Sequence, residues 1–277
     1  MAKITSVSPL APASFPTLPV IKGARFSTAA AGVKYAGRTD VMLAVLDPGS
    51  CVAGAFTKSA TRSANVLDCQ SKIRLEDEGG AAIIVNSGNS NAFTGRAGDE
   101  SVQAICAEVA RVTGLPSSRV FTSSTGVIGE RLPHDRIKAK VEELYGNLDE
   151  AGLPNAAKAI MTTDTFPKGS TTSVDLPGGT VTIAGIAKGS GMIAPDMATM
   201  LVYIFTDAKI AQTDLQTLVS DINEKTFNSI TVDSDTSTSD TLLVAATGAS
   251  GVKVTADDTA FRDGLHHVMQ DLAHQVV

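Results

Sequence analysis

What most constrains this 277-residue chain is the way short apolar runs alternate with segments of helical period. Residues 41–46 and 81–85 are apolar runs bounded by Gly, Pro and polar turns, the pattern of buried strands. Residues 200–206 form a third run of strand length. Val102, Ile105, Cys106, Val109 and Val112 fall at helical spacing, and Gly114 and Pro116 supply the stop. Ile137, Val141 and Leu144 mark a second helix, ended by Gly146. Residues 173–176 and 180–186 flank Pro177-Gly178-Gly179 and predict a hairpin. Thr213 and Gln216 read as a capping box for a helix carrying Leu215, Leu218, Val219 and Ile222. Phe261, Leu265, Val268, Met269, Leu272 and Val276 share one face of a last amphipathic helix, while residues 1–30, rich in Pro, Ala and Ser, read as an irregular arm. This interleaving predicts a mixed α/β architecture. Propensity alone does not choose among such architectures.

Composition narrows the function classes. With 43% hydrophobic and 19% charged residues the chain can bury a sizeable core. A net charge of −6 argues against nucleic acid as the main partner, since phosphate contacts need a positive surface. No apolar stretch approaches the roughly 20 residues that span a bilayer, and the first residues lack the apolar core of a secretory signal. A cytoplasmic protein is the expectation. Cys51, Cys69 and Cys106 are widely spaced, without a CxxC, and read as structural thiols in a reducing compartment. His134, His266, His267 and His274 show no HExxH and read as surface residues. The polar run 231–240 lacks the Gly and terminal Glu of a calcium loop, so no metal site is expected.

Three segments carry chemistry. In Lys188-Gly-Ser-Gly-Met-Ile-Ala-Pro-Asp-Met-Ala198-Thr199, a Gly-rich loop rises into an apolar run, with one Thr where loop meets strand. Self-cleavage needs such an arrangement, because the Thr hydroxyl must reach the carbonyl of its own preceding residue. The freed α-amine, with a pKa near ~8, could then act as general base for the adjacent hydroxyl. A Thr opening a strand is otherwise only a good β-former. Ser123-Ser-Thr125-Gly126-Val-Ile-Gly129 offers hydroxyl and backbone donors suited to an oxyanion hole, or simply a strand-to-loop turn. Asn86-Ser-Gly-Asn-Ser-Asn-Ala-Phe-Thr-Gly95 reads as a loop able to bind a polar ligand. It matches no nucleotide-binding pattern.

Together these segments resemble the ornithine acetyltransferase family, the bifunctional glutamate N-acetyltransferases of arginine biosynthesis. The resemblance runs along essentially the whole chain, through Ala53-Gly-Ala-Phe-Thr57, Asn86 to Asn91, Ser124 to Gly129, Met161-Thr-Thr-Asp-Thr165, Lys188 to Pro195, Met197-Ala-Thr-Met-Leu201 and Thr226-Phe-Asn-Ser-Ile-Thr-Val-Asp233. It implies the layered α/β architecture of ornithine acetyltransferase and DmpA-like N-terminal-nucleophile proteins. It also implies a precursor cut between Ala198 and Thr199 into an α chain, 1–198, and a β chain, 199–277, with Thr199 as the acetyl-accepting nucleophile.

Further implications follow residue by residue. Thr125 and Gly126 correspond to the oxyanion hole, and Thr162, Lys188 and Thr199 to substrate-binding positions; the register among Thr162, Thr163 and Thr165 is open. Acetyl passes from N-acetylornithine to the threonine and then to glutamate. No cofactor is implied, although some members also take acetyl from acetyl-CoA. The implied assembly is α/β heterodimers pairing into heterotetramers. The family's chains continue beyond the position of Val277, so the expectation is a shortened β chain. An N-terminal-nucleophile amidohydrolase or aminopeptidase, and a folded but inactive remnant, are the competing readings.

Overall fold

The computed structural model describes residues 7–9, 11–75, 79–194 and 200–277. Along the chain, β1 (Ala24–Ala29), β2 (Val41–Leu46) and β3 (Cys51–Phe56) precede α1 (Ala64–Lys72), β4 (Ala81–Asn89), α2 (Arg96–Thr113) and β5 (Val120–Val127). Three short helices, α3 (His134–Lys138), α4 (Val141–Gly146) and α5 (Leu153–Ala159), lead to the hairpin β6 (Lys168–Leu176) and β7 (Gly179–Lys188). The remainder is β8 (Leu201–Thr206), β9 (Lys209–Ile210), α6 (Gln212–Lys225), β10 (Thr241–Ala246), β11 (Lys253–Val254) and α7 (Thr259–Val276).

Two sheets form the centre. One has the order β1-β2-β4-β5 and the other β3-β10-β8-β7-β6; β9 and β11 make a small parallel pair. The parallel pairs β4–β5 and β8–β10 sit among antiparallel neighbours. The side-chain period of two explains the layering. In β2, Met42, Ala44 and Leu46 enter a core shared with Leu201, Tyr203 and Phe205 of β8, so this core lies between the sheets. The alternate residues Val41, Leu43 and Val45 pack outward with Val102, Ile105 and Val109 of α2. Val202 and Ile204 of β8 pack the other way, with Leu215 and Leu218 of α6 and Leu265 and Leu272 of α7. The result is four layers, helix, sheet, sheet, helix. Both central sheets are covered on both faces, which is why β2 and β8 read as unbroken apolar runs. Phe26 and Phe205 meet across the middle core edge-to-face, with ring centroids 4.8 Å apart.

The helix stop at Gly114 is as expected: Gly114 adopts φ 77° and its N–H donates to the Ala110 carbonyl. Four local expectations are corrected. Ile137, Val141 and Leu144 lie not on one helix but on two short ones, α3 and α4. Residues 24–29 are not an irregular arm but β1, because Phe26 inserts into the middle core while its backbone pairs with β2. No capping box forms at Thr213; α6 starts after Ala211, and the Gln216 side chain instead brackets the Gly54 peptide in β3. Nor are all the histidines surface residues: His134 is half-buried, its ring bonded to the Ser101 hydroxyl at 2.9 Å. All three cysteines are free, Cys69 and Cys106 buried and Cys51 half-buried. Among the described residues no helix is long and apolar enough to cross a membrane.

Candidate active site

At one end the two sheets are joined by a polar contact between β5 and β7. Phe121 of β5 faces the middle core, and two steps of two later so does Thr125. Ala184 and Ile186 of β7 do the same, which brings Lys188 to the same interface. The Lys188 ammonium donates to Thr125 Oγ1 at 3.1 Å, and both residues are buried. An ammonium has three donors and a hydroxyl keeps its own proton when it accepts. Thr125 is therefore a hydroxyl donor polarised by a cation behind it.

Gly126 follows in a backbone conformation, φ 132°, that L side chains avoid. A Cβ there would lie 2.3 Å from the Gly88 carbonyl carbon, because β4 and β5 come together at this pair. Glycine is dictated here by packing as well as by any chemistry. Beside it the first part of the Asn-rich stretch is strand rather than loop, while Asn91, Phe93, Thr94 and Gly95 line a cleft with Thr61 and Arg62. Strand β4 continues through Asn89, and Asn86, Asn89 and Asn91 are buried, with their side chains used internally. Ser124 Oγ donates to Asn86 Oδ1 at 2.6 Å, and Asn91 Nδ2 donates to Asn65 Oδ1 and the Gly98 carbonyl. This network fixes the strand ends that present Thr125.

Around Lys188 lies a buried charge group. Asp164 takes the Lys168 ammonium at 2.6 Å and the Gly189 N–H at 2.7 Å on one oxygen, and the Thr162 N–H at 3.0 Å on the other. The Lys168 and Asp164 side chains are 2% and 0% exposed. Burial pushes the Asp164 carboxyl up, yet Lys188, Lys168 and the Gly189 amide together hold it below the usual carboxylate range. Burial lowers the Lys188 ammonium, with Lys168 adding to the effect and Asp164 and Asp240 opposing it. Asp240, wholly buried just before β10, is pushed up to about 8 by burial, against the pull of the Met200 amide, the Ser237 hydroxyl and Lys188. The group thus gathers Lys168 and Lys188 around Asp164, with Asp240 also acting on Lys188 and its carboxyl held up by burial. Among the described residues no set of three His, Cys, Asp or Glu side chains could hold a metal ion.

Strand β8 brings the chain back into this site. Its first residue, Leu201, pairs with Lys188 in the β7–β8 ladder. Ala198 and Thr199, the expected cleavage site and nucleophile, lie outside the described residues.

Sequence comparison decides the family. Residues 25–277 match the ArgJ family model. The chain is 65% identical over 277 residues to the arginine biosynthesis bifunctional protein ArgJ of Ruegeria pomeroyi, an alignment that covers all of this chain and 68% of that protein. The chain belongs to the ArgJ family. ArgJ of Nitrobacter winogradskyi is 50% identical, over 98% of this chain and 68% of its own length.

Two crystal structures agree with the ArgJ assignment. ArgJ from Bacillus halodurans matches with TM-score 0.58 and 37% identity, over 64% of this chain and 92% of its own. The ornithine acetyltransferase of Mycobacterium tuberculosis, solved with ornithine, matches with TM-score 0.55 and 33% identity, over 64% of this chain and 94% of its own. An L-aminopeptidase D-Ala-esterase/amidase from Ochrobactrum anthropi, described as a variant of the Ntn hydrolase fold, covers 96% of this chain at TM-score 0.53 and 13% identity, and covers 88% of itself; at that identity it speaks for the fold alone.

In this ArgJ-family structure Lys188 meets Thr125, and Gly126 follows next along β5. Thr162 is half-buried and reaches the same site through Asp164, whereas Thr163 is exposed with its hydroxyl 2.8 Å from that of Ser190. Thr165, beside Phe166, lines a cleft of about 220 Å³ that Lys168, Gly189 and Ser190 share with the end of α7. Sequence reasoning missed Asp164, Lys168 and Asp240. Asp164 lies between threonines whose hydroxyls draw the chemistry, and Asp240 closes a polar run with the look of a calcium loop.

Proposed function

We propose that this ArgJ-family chain moves an acetyl group from N-acetylornithine to glutamate through an acetyl-Thr199 intermediate, after self-cleavage between Ala198 and Thr199 into an α chain (1–198) and a β chain (199–277). The observation that carries this reading is the buried Lys188–Thr125 hydrogen bond beside Gly126, at the point where β8 returns across from Lys188. In the reaction, the Thr199 hydroxyl gives its proton to its own α-amine and attacks the acetamide carbonyl. Negative charge gathers on the carbonyl oxygen, and the Thr125 hydroxyl, polarised by Lys188, donates to it. Such a donor contributes about 3–4 kcal/mol to the transition state. The C–N bond then breaks, ornithine leaves with the proton, and the amine of glutamate attacks the resulting ester in the reverse sequence. Lys188 supplies a cation for a substrate carboxylate. No cofactor is called on. Acetyl-CoA is a second donor, delivering the same acetyl-threonine.

The test is to mix purified protein with N-acetylornithine, with and without glutamate. N-acetylglutamate should form only when glutamate is present, and without it acetyl should remain on the 199–277 chain. Acetate released whether or not glutamate is present would instead make the chain a hydrolase. Thr199→Ala should neither be cut nor transfer acetyl, and a variant still split at position 198 would remove Thr199 from its role.

A further inference from the structure

The polar run 231–240 holds the chain on both sides of the expected cleavage point. Upstream, the Asp233 carboxylate accepts the Met192 N–H at 2.7 Å and the Ile193 N–H at 2.8 Å, one on each oxygen. The Ile193 carbonyl in turn accepts from the Val232 N–H at 2.8 Å and the Thr231 hydroxyl at 2.9 Å. Met192 sits at φ 56°, a left-handed conformation costly for a residue with a side chain and kept only where neighbours impose it. Downstream, Asp240 Oδ1 accepts the Met200 N–H at 2.9 Å, and the Met200 carbonyl accepts the Thr241 N–H at 3.2 Å. The Met200 N–H is the first described backbone donor after the expected cut, and Asp240 holds it. Asp240 is wholly buried, and besides the Met200 N–H its carboxyl is drawn on by the Ser237 hydroxyl and Lys188.

We propose that residues 231–241 form a two-point clamp for self-cleavage, in which Asp233 and Asp240 are positioning residues that fix the backbone before and after the Ala198–Thr199 bond. This rests on the self-cleavage reading above. Attack of a hydroxyl on its own preceding carbonyl is intramolecular, and its rate depends on how narrowly the two groups are held. A segment pinned at Ile193 and at Met200 by one neighbouring stretch has little freedom at its ends. Asp233 is exposed and acts by ionised hydrogen bonds, whereas Asp240 is buried and acts as an acceptor. Asparagine at 240 can therefore replace it, since its amide oxygen accepts the same N–H.

Cleavage would be followed by intact mass of full-length wild type, Asp240→Ala, Asp240→Asn, Asp233→Ala and Thr199→Ala, with melting temperature measured in parallel. Loss of the one Met200 hydrogen bond in Asp240→Ala, or of the Met192 and Ile193 pair in Asp233→Ala, should slow cleavage about ten- to a hundredfold. Asp240→Asn should stay within a few-fold of wild type. Asp233 is exposed, so its variant tests the clamp even if Asp240→Ala does not fold. Cleavage of Asp233→Ala and Asp240→Ala at the wild-type rate overturns the clamp, as does an Asp240→Asn variant as slow as Asp240→Ala. If wild type is never cut, or Thr199→Ala is cut equally, the self-cleavage reading itself fails and the clamp falls with it.

Discussion

Replacing Lys168 with methionine isolates the buried charge group. The substitution keeps most of the side-chain volume and the contact with the Phe166 ring, over which the ammonium sits 4.5 Å from the centroid. It strips Asp164 of its 2.6 Å ion pair where neither side chain reaches solvent. Removing one member of such a pair costs about 3–5 kcal/mol, mostly the desolvation of the charge left behind. Asp164 keeps the Gly189 and Thr162 amides and the field of Lys188, which argues for the lower end, about 3 kcal/mol. In a chain of this size that lowers the melting temperature by roughly 6–10 °C.

The pH dependence sharpens the test. The folded-state pKa of Asp164 lies below the ordinary 3.8, so its stabilisation is present above that value and is lost as pH falls through the folded one. Lys168→Met weakens the pairing that holds the pKa down. The gap between wild type and variant should be full at neutral pH and close as the medium becomes strongly acidic. Calorimetric scans from neutral to acid pH give both readings. A shift under about 2 °C, or one independent of pH, would refute the account of Asp164 as an ionised, pair-dependent group.

Other perturbations probe the rest of the site. Thr125→Ala should slow acetylation by about 10²–10³-fold with little change in melting temperature, measured as acetyl-protein formation after rapid mixing. Gly126→Ala meets the Gly88 backbone at 2.3 Å and forces a left-handed φ, so a large loss of folded protein in a denaturant titration is expected. Asp240 has a folded pKa raised to about 8, so the fold loses stability as pH climbs from about 4 to 8; Asp240→Asn should flatten that limb in melting experiments across the range.

Much of the molecule is legible in its sequence, for identifiable reasons. β2 and β8 are continuous apolar runs because each is covered on both faces, and α2 and α7 display a one-sided stripe because each lies on an outer face of the sandwich. β1 was hidden because its Arg25, Ser27 and Thr28 lie among polar and small residues, and only pairing with β2 makes Phe26 a core residue. The site was half visible. Thr125, Gly126 and Lys188 stand in distinctive contexts, whereas Asp164, Lys168 and Asp240 gain meaning only from being buried near one another. Burial is what turns an ordinary Asp–Lys spacing into a tightly held charge group, and no local pattern announces it.

Strand order gives the proposed cut an unusual mechanical character. In the larger sheet β8 and β10, which follow residue 199, lie side by side between β3 and β7, which precede it. Scission before β8 would therefore yield two polypeptides woven through one another, each product a stripe of the same fabric. The pieces would travel together through dilution and chromatography and part only in denaturant. Processing would unmask a reactive terminus without loosening the body that holds it.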